Sequence, residues 1–320
     1  MSHQRSSGNL LADRRYAYAE ACLAEGHADG AAEMAEQALE MAPDYAPAWV
    51  LLGRARAASF AKSGTETEQA AALAAFGRAL ALDPDDALGS RLHLAALGAA
   101  EAATAIGLGY VRALFEGYAP RFERHLVDEL GYRGPQMMVE ALDALAEAPR
   151  RFPRALDLGC GTGLMGRALE GRVDTLAGCD LSPAMLAQAR RTGLYARLVE
   201  ADLVAFLAAE PPGSADLITA ADVFIYLGDL APALRGIARA LAPGGLAVLT
   251  VQSPQADEGI VLGADGRYAH GDAHLHASAR QAGLAVAAMR QAGIRRQNRV
   301  DVPGRILILQ KSLNVPDHSS

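Results

Sequence analysis

Residues 156–163 read Leu-Asp-Leu-Gly-Cys-Gly-Thr-Gly, and this stretch is the most informative segment of the sequence for predicting the fold. An apolar run ends in three glycines spaced two residues apart, and a segment with helical character follows over residues 164–169. Glycine lets the backbone turn sharply and lets a ligand approach the main chain closely. The exposed N–H groups at the start of a helix suit a carboxylate or a phosphate. The stretch therefore predicts a strand, a ligand-binding loop and a helix, in that order.

Short apolar runs alternate with helical stretches from Arg154 onward. Strands separated by helices in this way form a parallel sheet with helices on both faces. The sequence therefore predicts an α/β fold with a doubly wound, mostly parallel sheet of seven strands. The last two strands are expected to form an antiparallel hairpin whose connection contains Pro303 and Gly304. The predicted strands cover residues 155–158, 175–179, 196–200, 217–221, 246–251, 284–288 and 305–310.

Two classes of ligand compete for the glycine loop. The spacing Gly161-x-Gly163-x-x-Gly166 matches the fingerprint of dinucleotide-binding folds, which would make the protein an oxidoreductase. Asp157, two residues before the first glycine, would however repel the doubly negative pyrophosphate of a dinucleotide. S-adenosylmethionine brings an ammonium and a sulfonium that Asp157 can attract, and a carboxylate that the loop N–H groups can bind. The residues therefore favour S-adenosylmethionine.

Two further carboxylates follow predicted strands. Asp180 ends the second strand, 21 residues after Gly159, where an acidic side chain can accept hydrogen bonds from both ribose hydroxyls of a nucleoside. Asp202 follows the third strand, where a carboxylate can accept a hydrogen bond from the adenine amino group. Asp202 could instead cap the helix predicted over residues 203–209. Together these carboxylates predict a nucleoside site along the carboxyl edge of the sheet.

These motifs resemble, in this order, those of the class I S-adenosylmethionine-dependent methyltransferases over about residues 110–312. DLGCGTG at 157–163 matches the first motif of that family, Asp180 its ribose-binding acid and Asp202 its adenine-contacting acid. LAPGGLAVL at 241–249 matches the turn before its fifth strand. The resemblance implies a Rossmann-like methyltransferase fold and S-adenosyl-L-methionine as the cofactor. The cofactor-binding residues implied are Asp157, Gly159, Cys160, Gly161, Gly163, Asp180, Leu181, Met185, Ala201, Asp202, Leu203, Ala221 and Tyr118.

Tyr118 enters this set through an aromatic stretch ahead of the sheet. Related small-molecule methyltransferases of the ubiquinone type have an aromatic segment, similar to Tyr118-Ala-x-x-Phe122, that closes over the cofactor. The resemblance therefore implies a lid made of Tyr110, Phe115, Tyr118 and Phe122. The same residues could instead be core aromatics at helical spacing.

The first hundred residues are rich in Ala, Leu and Glu, with apolar residues at three- and four-residue spacing, which predicts helices throughout. A faint repeat relates residues 35–43 to 76–84, and Trp49, Leu52 and Gly53 fit the W-x2-L-G opening of a tetratricopeptide unit. The pattern resembles two such units, over residues 11–43 and 45–84, with another helix after Asp85. The period of 41 residues exceeds the 34 of that repeat, and we expect the surplus in a polar loop over residues 62–68.

The whole chain resembles bacterial methyltransferases with tetratricopeptide repeats ahead of the catalytic domain. We therefore expect a tetratricopeptide-like helical domain over residues 1–100, linking and lid helices over 101–150, a cofactor-binding domain over 151–313 and a tail over 314–320. The repeats could form a groove for a partner peptide or protein. They could also be a structural or dimerising cap, because two units are few for a free-standing solenoid.

Three residues are candidates for the catalytic side of the reaction: His270, Tyr226 and His125. An oxygen acceptor needs a base or arrives as a carboxylate, whereas a nitrogen acceptor needs only its neutral form. Tyr226 follows the fourth strand, at the edge of a parallel sheet where ligands bind. His270 is expected in a loop that lines the pocket, because Tyr268 and several glycines surround it.

Composition and charge argue against several classes of function. The net charge is −7 without a run of five or six like charges, which disfavours a nucleic-acid partner. The segment after the fourth strand also lacks the Asn/Asp-Pro-Pro-aromatic signature of methyltransferases that modify nucleic-acid amino groups. The three cysteines suggest reduced thiols in a cytoplasm, and they show no metal-binding spacing. No signal peptide and no membrane span is expected.

The sequence therefore predicts a cytoplasmic methyltransferase that acts on a small-molecule acceptor, with a homodimer as an open alternative to a monomer. A second hypothesis is a protein methyltransferase that docks its substrate on the helical repeats. A third is a repeat-based interaction protein that binds the cofactor without catalysis. A dinucleotide oxidoreductase is the least favoured hypothesis.

Overall fold

The structure is a computed structural model that describes residues 6–119, 122, 131–145, 150–255, 259–263, 265–297 and 300–313. The chain separates into two compact units, Met1–Ala113 and Leu114–Ser320. The boundary falls inside residues 101–150, for which the sequence predicts a separate linking region. That region is therefore shared between the two units, and each unit has a hydrophobic core of its own.

Helices make up the regular structure of the first unit. Its α-helices are α1 (Leu10–Ala24), α2 (Ala28–Met41), α3 (Ala46–Ser63), α4 (Glu66–Leu82), α5 (Ser90–Ala96) and α6 (Leu108–Tyr118), with a 3₁₀ turn at Ala102–Thr104. α1 begins behind Asn9, whose side chain accepts hydrogen bonds from the N–H groups of Leu11 and Ala12. α6 ends in the second unit.

α1 packs against α2 and α3 packs against α4, which gives two successive helix pairs as the repeat pattern predicts. The core between them contains many alanines, among them Ala12, Ala35 and Ala48. A small side chain at these positions lets neighbouring helices pack closely. The second pair begins with α3, whose first residue directly follows Tyr45.

The prediction of a loop over residues 62–68 is wrong. α3 continues to Ser63, Gly64 ends it in the left-handed conformation with φ +68°, and α4 begins at Glu66. The surplus residues instead lengthen α3 and α4 to 18 and 17 residues, against 15 and 14 in α1 and α2. Polar residues at 62–67 are compatible with helix because they lie at exposed positions near the helix ends.

Gly53 of α3 lies against the ring of Phe76 of α4. A Cβ added at Gly53 would lie 2.6 Å from Phe76 Cε1, whereas one added at Gly77, on the exposed face of α4, would meet nothing within 4 Å. We expect Gly53→Ala to lower the free energy of unfolding by about 1–3 kcal/mol through overpacking. Gly77→Ala, the matched control, should raise it by about 0.5–1 kcal/mol through better helix propensity. Urea denaturation followed by the fluorescence of Trp49, the one tryptophan, measures both; equal effects would contradict this packing.

The second unit alternates strands with helices. After α7 (Gly134–Asp143), its elements are β1 (Phe152–Leu158), α8 (Leu164–Ala168), β2 (Val173–Asp180), α9 (Pro183–Arg191), β3 (Arg197–Glu200), α10 (Leu203–Ala209), β4 (Ala215–Ala220), a 3₁₀ turn (Phe224–Tyr226), α11 (Ala231–Ala240), β5 (Leu241–Gln252), β6 (Ile260–Leu262), β7 (Tyr268–His270), α12 (Asp272–Gln281), β8 (Leu284–Gln297) and β9 (Val300–Lys311). Among the helices that the structure describes, none has the length and apolarity to cross a bilayer.

The strands form one mostly parallel sheet in the order β3-β2-β1-β4-β5, and β5 continues antiparallel into β9 and then β8. Helices cover both faces: one core contains Phe206, Leu234 and Leu275 of α10, α11 and α12, and the other contains Met138 and Met165 of α7 and α8. The predicted doubly wound α/β sheet is confirmed. The predicted number of strands is too small, because the short strands β6 and β7 join the sheet beside the end of β5.

The terminal hairpin is longer than predicted. β8 and β9 pair from Leu284 opposite Lys311 to Gln297 opposite Val300. Pro303 therefore lies within β9, not in the connection, and the same holds for Gly304. Pro303 stands opposite Gly293, beside a shift of register in β8, and proline is tolerated at such irregular positions because it lacks an N–H donor.

Parallel register brings the carboxyl ends of β1, β2, β3 and β4 to one edge of the sheet. Leu158 pairs with Cys179, Asp180 with Glu200, and Asp157 with Thr219. The residues that follow these strands therefore lie side by side. This edge contains the glycine loop and the predicted carboxylates, and open parallel sheets bind their ligands there.

Candidate active site

The glycine loop after β1 is a tight turn that three left-handed glycines make possible. Gly159, Gly161 and Gly163 have φ of +61°, +53° and +93°. Hydrogen bonds from Cys160 N–H to the Cys179 carbonyl and from Gly163 N–H to the Cys160 carbonyl, both 2.9 Å, hold the turn. Cys160 is buried, so this predicted site residue contributes its backbone and not an exposed thiol.

Two of the glycines have very different surroundings. A Cβ added at Gly159 would lie 2.5 Å from Cγ2 of Val223, which follows β4. A Cβ added at Gly161 would meet no atom within 4 Å. Gly159 therefore packs against the protein, whereas Gly161 faces open space that a ligand can occupy.

Asp157 lies beneath the loop and is 1% exposed. Its Oδ2 accepts a hydrogen bond from the Tyr195 hydroxyl at 2.6 Å, and its Oδ1 accepts one from the Thr219 hydroxyl at 2.9 Å. Burial raises the pKa of Asp157 to about 6, Asp180 adds to this, and the two hydroxyl donors oppose it. The predicted electrostatic role of Asp157 therefore depends on the groups that keep this buried carboxyl ionised.

Tyr195 is one residue of this site that sequence reasoning missed. It lies in the loop between α9 and β3, and its hydroxyl accepts a hydrogen bond from Gly166 N–H at 3.2 Å. A Cβ added at Gly166 would lie 2.8 Å from Tyr195 Cε2. The third glycine of the dinucleotide-like spacing therefore makes room for Tyr195. No motif surrounds Tyr195 in the sequence, so no local signal could have found it.

Asp180 at the end of β2 reaches the glycine loop directly. Its Oδ2 accepts a hydrogen bond from Gly161 N–H, and its Oδ1 accepts one from Ser182 N–H, both at 2.9 Å. Burial raises the pKa of Asp180, backbone donors lower it, and Glu116 raises it further. Of its predicted neighbours, Met185 is buried beside the site and Leu181 is half-buried.

Asp202 caps the helix that follows β3. Its two carboxylate oxygens accept hydrogen bonds from Val204 N–H at 2.8 Å and from Ala205 N–H at 3.1 Å. This is the alternative that the sequence left open, and the contact with adenine stays a prediction. Ala201 and Leu203 on either side are half-buried, and Ala201 N–H donates to the Asp180 carbonyl.

The predicted lid segment packs on the edge of the second unit. The Glu116 carboxylate accepts hydrogen bonds from the Ser182 hydroxyl at 2.6 Å and from Ala184 N–H at 3.2 Å. Gln188 of α9 donates to the carbonyl of Ala119. Because Ser182 neighbours Asp180, these bonds anchor the end of α6 next to the nucleoside end of the predicted site.

An aromatic cluster connects the predicted lid to the turn after β4. Phe115 contacts Tyr226 edge to face at 5.5 Å and Phe122 at 6.1 Å, and Tyr118 contacts Phe122 at 5.3 Å between ring centroids. Tyr110, the fourth residue of the predicted lid, belongs to the first unit, where a Cβ added at Gly89 would lie 2.8 Å from its ring.

Tyr226, in the turn after β4, also contacts the side chain of Arg267. The Arg267 guanidinium hydrogen-bonds the Tyr226 side chain and pairs with Asp265 at 3.5 Å. Nearby, Asp222 has a left-handed φ of +59° and its N–H donates to the Thr250 hydroxyl at 2.7 Å. Ala221, which precedes it and directly follows β4, is half-buried. The turn after β4 is thus held in a strained conformation, as is common at functional sites.

Of the other two catalytic candidates, the structure describes only His270. His270 is a β7 residue and not part of a loop, and it is fully buried, with its ring 5.9 Å from that of His274. Burial and His274 lower the pKa of His270 to about 4. The predicted position of His270 in a pocket-lining loop is therefore wrong, whereas its catalytic role stays a prediction. His125 lies outside the described residues.

Among the described side chains, no group of three His, Cys, Asp or Glu residues could hold a metal ion.

Comparisons with known proteins point to one kind of domain. Residues 155–245, from β1 into β5, match the family model of a methyltransferase domain. Trans-aconitate 2-methyltransferase of Methylobacterium nodulans is 44% identical over 117 residues, which cover 36% of this chain and 43% of that protein. Demethylmenaquinone methyltransferase of Thermus thermophilus is 38% identical over 151 residues, which cover 44% of this chain and 66% of that protein.

A solved structure has a similar fold. Burkholderia thailandensis 1,6-didemethyltoxoflavin-N1-methyltransferase, solved with its substrate and S-adenosylhomocysteine, matches with a TM-score of 0.50 at 15% identity. The match covers 63% of this chain and 89% of that one. The chain spans between 43 and 66% of the length of the two curated relatives above. The domain match and the relatives together identify residues 155–245 as a methyltransferase domain.

Proposed function

We propose that this protein transfers a methyl group from S-adenosylmethionine to a small-molecule acceptor. One observation carries the proposal: the loop between β1 and α8 is open at Gly161, with Asp157 beneath it and Asp180 beside it. This set offers negative charge to cationic groups, backbone donors to a carboxylate, and an acceptor to ribose hydroxyls. Both relatives above are methyltransferases whose names give small-molecule substrates.

The bound cofactor would supply a methyl group on a sulfonium, which an acceptor atom can displace in line. In this proposal Asp180 binds the ribose hydroxyls and Asp202 the adenine amino group. The backbone of Gly159 to Gly163 binds the carboxylate of the amino-acid end, and Asp157 attracts its ammonium. These residues hold the reacting atoms in place, which is the main contribution that such a transfer needs from a protein.

The aromatic cluster and Tyr226 would serve the acceptor. Phe115, Tyr118 and Phe122 exclude water from the edge of the sheet, where a dispersing positive charge benefits from an apolar surrounding. For an oxygen acceptor, Tyr226 would act as the base in its phenolate form, which the adjacent Arg267 guanidinium favours, and would become a neutral phenol as it takes the proton. A nitrogen acceptor would arrive neutral and would need no base.

The first unit suggests a second candidate function. Its helix pairs α1–α2 and α3–α4, with Trp49, Leu52 and Gly53 at the start of the second pair, have the pattern of tetratricopeptide units. We infer that they form such a pair and could dock a protein substrate or partner. Leu11 and Tyr18, seven residues apart on α1, are 60% and 62% exposed and offer an apolar surface for this purpose.

A turnover assay separates these functions. The protein is incubated with methyl-labelled S-adenosylmethionine and either a metabolite extract or a proteome fraction of bacterial cells. Label in small molecules, with release of S-adenosylhomocysteine, is the expected result. Label in protein would favour the docking function, and cofactor binding without label in either would favour a non-catalytic interaction protein. Binding of NADH in place of S-adenosylmethionine would refute the proposal.

A further inference from the structure

The ring of Tyr195 fills the space beneath the glycine loop. A Cβ added at Gly163, Gly166 or Gly178 would lie 3.3, 2.8 or 2.9 Å from a ring atom of Tyr195. Three glycines from the loop, α8 and β2 thus surround one aromatic ring. The ring fixes the distance between the loop and the sheet, because the interior tolerates little change in volume.

The hydroxyl of Tyr195 joins the loop to the buried carboxylate. It donates to Asp157 Oδ2 at 2.6 Å and accepts from Gly166 N–H at 3.2 Å. Thr219 of β4 donates to the other oxygen of Asp157 at 2.9 Å. Each carboxylate oxygen therefore has its own hydroxyl donor. Such donors favour the ionised form, whereas burial favours the neutral one.

We propose that Tyr195, together with Thr219, holds Asp157 ionised beneath the glycine loop and thereby sets the affinity of the site for a cationic amino-acid nucleoside. The inference rests on the proposed function. Tyr195 is a positioning residue, because it acts on the ligand through Asp157.

Burial and the two hydroxyl donors shift the pKa of Asp157 in opposite directions. The charge of this carboxyl therefore changes with pH near neutrality. With its pKa at about 6, Asp157 becomes ionised as the pH rises from 5 to 7. Cys160, Cys179 and Asp180 also face it electrostatically. Burial raises the pKa of Cys179 to about 12 and that of Cys160 higher still, so both thiols stay neutral. Asp180 titrates as well, but its predicted partner is the ribose and not the ammonium.

Two ligands distinguish the contribution of Asp157 to binding from that of Asp180. S-adenosylhomocysteine contains the adenosine and the amino-acid end, whereas 5′-methylthioadenosine contains the adenosine alone. The dissociation constants of both ligands are measured by calorimetry at pH 5.5, 7.0 and 8.5. The proteins are the full wild-type chain, Tyr195→Phe, Thr219→Val and a control, Tyr45→Phe, which changes a buried tyrosine of the first unit.

Wild type is expected to bind S-adenosylhomocysteine more tightly at pH 7.0 than at pH 5.5. Tyr195→Phe keeps the ring but removes the donor, so the pKa of Asp157 rises further. If the pKa rises by about one unit, the ionised fraction of Asp157 falls about eightfold at pH 5.5 and about twofold at pH 7.0, and the affinity for this ligand should fall by the same factors. At pH 8.5 the loss should shrink, because the carboxyl is then ionised in both proteins. Affinity for 5′-methylthioadenosine should be the same in both proteins at each pH.

A loss that is equal at all pH values, or equal for both ligands, would mean that Tyr195 only supports the loop, and would overturn the inference. So would a wild-type profile for S-adenosylhomocysteine that matches that of 5′-methylthioadenosine. If Tyr195→Phe does not fold, Thr219→Val must show the same pH-dependent loss, and its absence overturns the inference. A wild type that binds neither ligand at any pH refutes the proposed function itself.

Discussion

Replacing Asp180 by Ala should weaken the binding of S-adenosylhomocysteine about five- to hundredfold, which corresponds to about 1–3 kcal/mol. The carboxylate accepts hydrogen bonds from Gly161 N–H and Ser182 N–H, so it lies against the open part of the glycine loop. In the proposed complex its remaining acceptor positions bind the ribose hydroxyls. The substitution removes those charged hydrogen bonds and also leaves the N–H of Gly161 without its partner.

Two variants make this measurement specific. Asp180→Asn keeps an acceptor oxygen without the charge, and it should lose less affinity than Asp180→Ala. Asp216→Ala is the matched control, because Asp216 forms a salt bridge with Arg154, 3.0 Å away, at the start of β4 and far from the carboxyl edge of the sheet. Its affinity should equal that of wild type. Unchanged calorimetric affinity in Asp180→Ala would rule out the ribose role.

The second large effect concerns Gly159. Gly159→Ala should lower the free energy of unfolding by about 2–4 kcal/mol. An L-residue at φ +61° is strained by about 1 kcal/mol or more, and the added Cβ would lie 2.5 Å from Val223. Val223 cannot yield easily, because Asp222 before it is already in a left-handed conformation. Urea denaturation followed by circular dichroism gives the change.

Gly161→Ala is the matched partner of this variant, and it separates stability from binding. Its φ of +53° imposes a similar strain, but its Cβ meets nothing within 4 Å, so stability should fall by only about 1 kcal/mol. The new methyl group would occupy the space assigned to the ligand, so binding of S-adenosylhomocysteine should be lost. If Gly161→Ala binds this ligand as wild type does, the ligand does not lie over Gly161 and the proposed site is wrong.

Much of the second unit could be predicted because its signals are local. Apolar runs with regular spacing predicted β1 to β5 and the terminal hairpin, and glycine spacing predicted the loop after β1. Helix ends were less certain. The polar residues near Gly64 suggested a loop, yet α3 and α4 continue almost to each other, since polar side chains are tolerated on exposed helix faces.

The site itself was predicted only in part. Asp157, Asp180 and the loop glycines lie together as expected, because parallel strands bring their carboxyl ends to one edge. The placement of His270 in a loop was wrong, because its flanking glycines suggest a loop whereas it lies in a buried strand. Glu116 was missed, because its partner Ser182 is 66 residues away and nothing in the local sequence marks the contact.

The sequence by itself determined the order of strand, glycine loop and helix, the alternation that builds a parallel sheet, and the acidic residues at the strand ends. Each of these depends on backbone preference and on spacing within a few residues. The hydrogen bond from Tyr195 to the carboxylate of Asp157, 38 residues away along the chain, could be found only from the tertiary structure. That contact, like the burial that shifts the pKa of Asp157, arises from the packing of distant segments, and the free energy of an ionised side chain depends on all atoms around it.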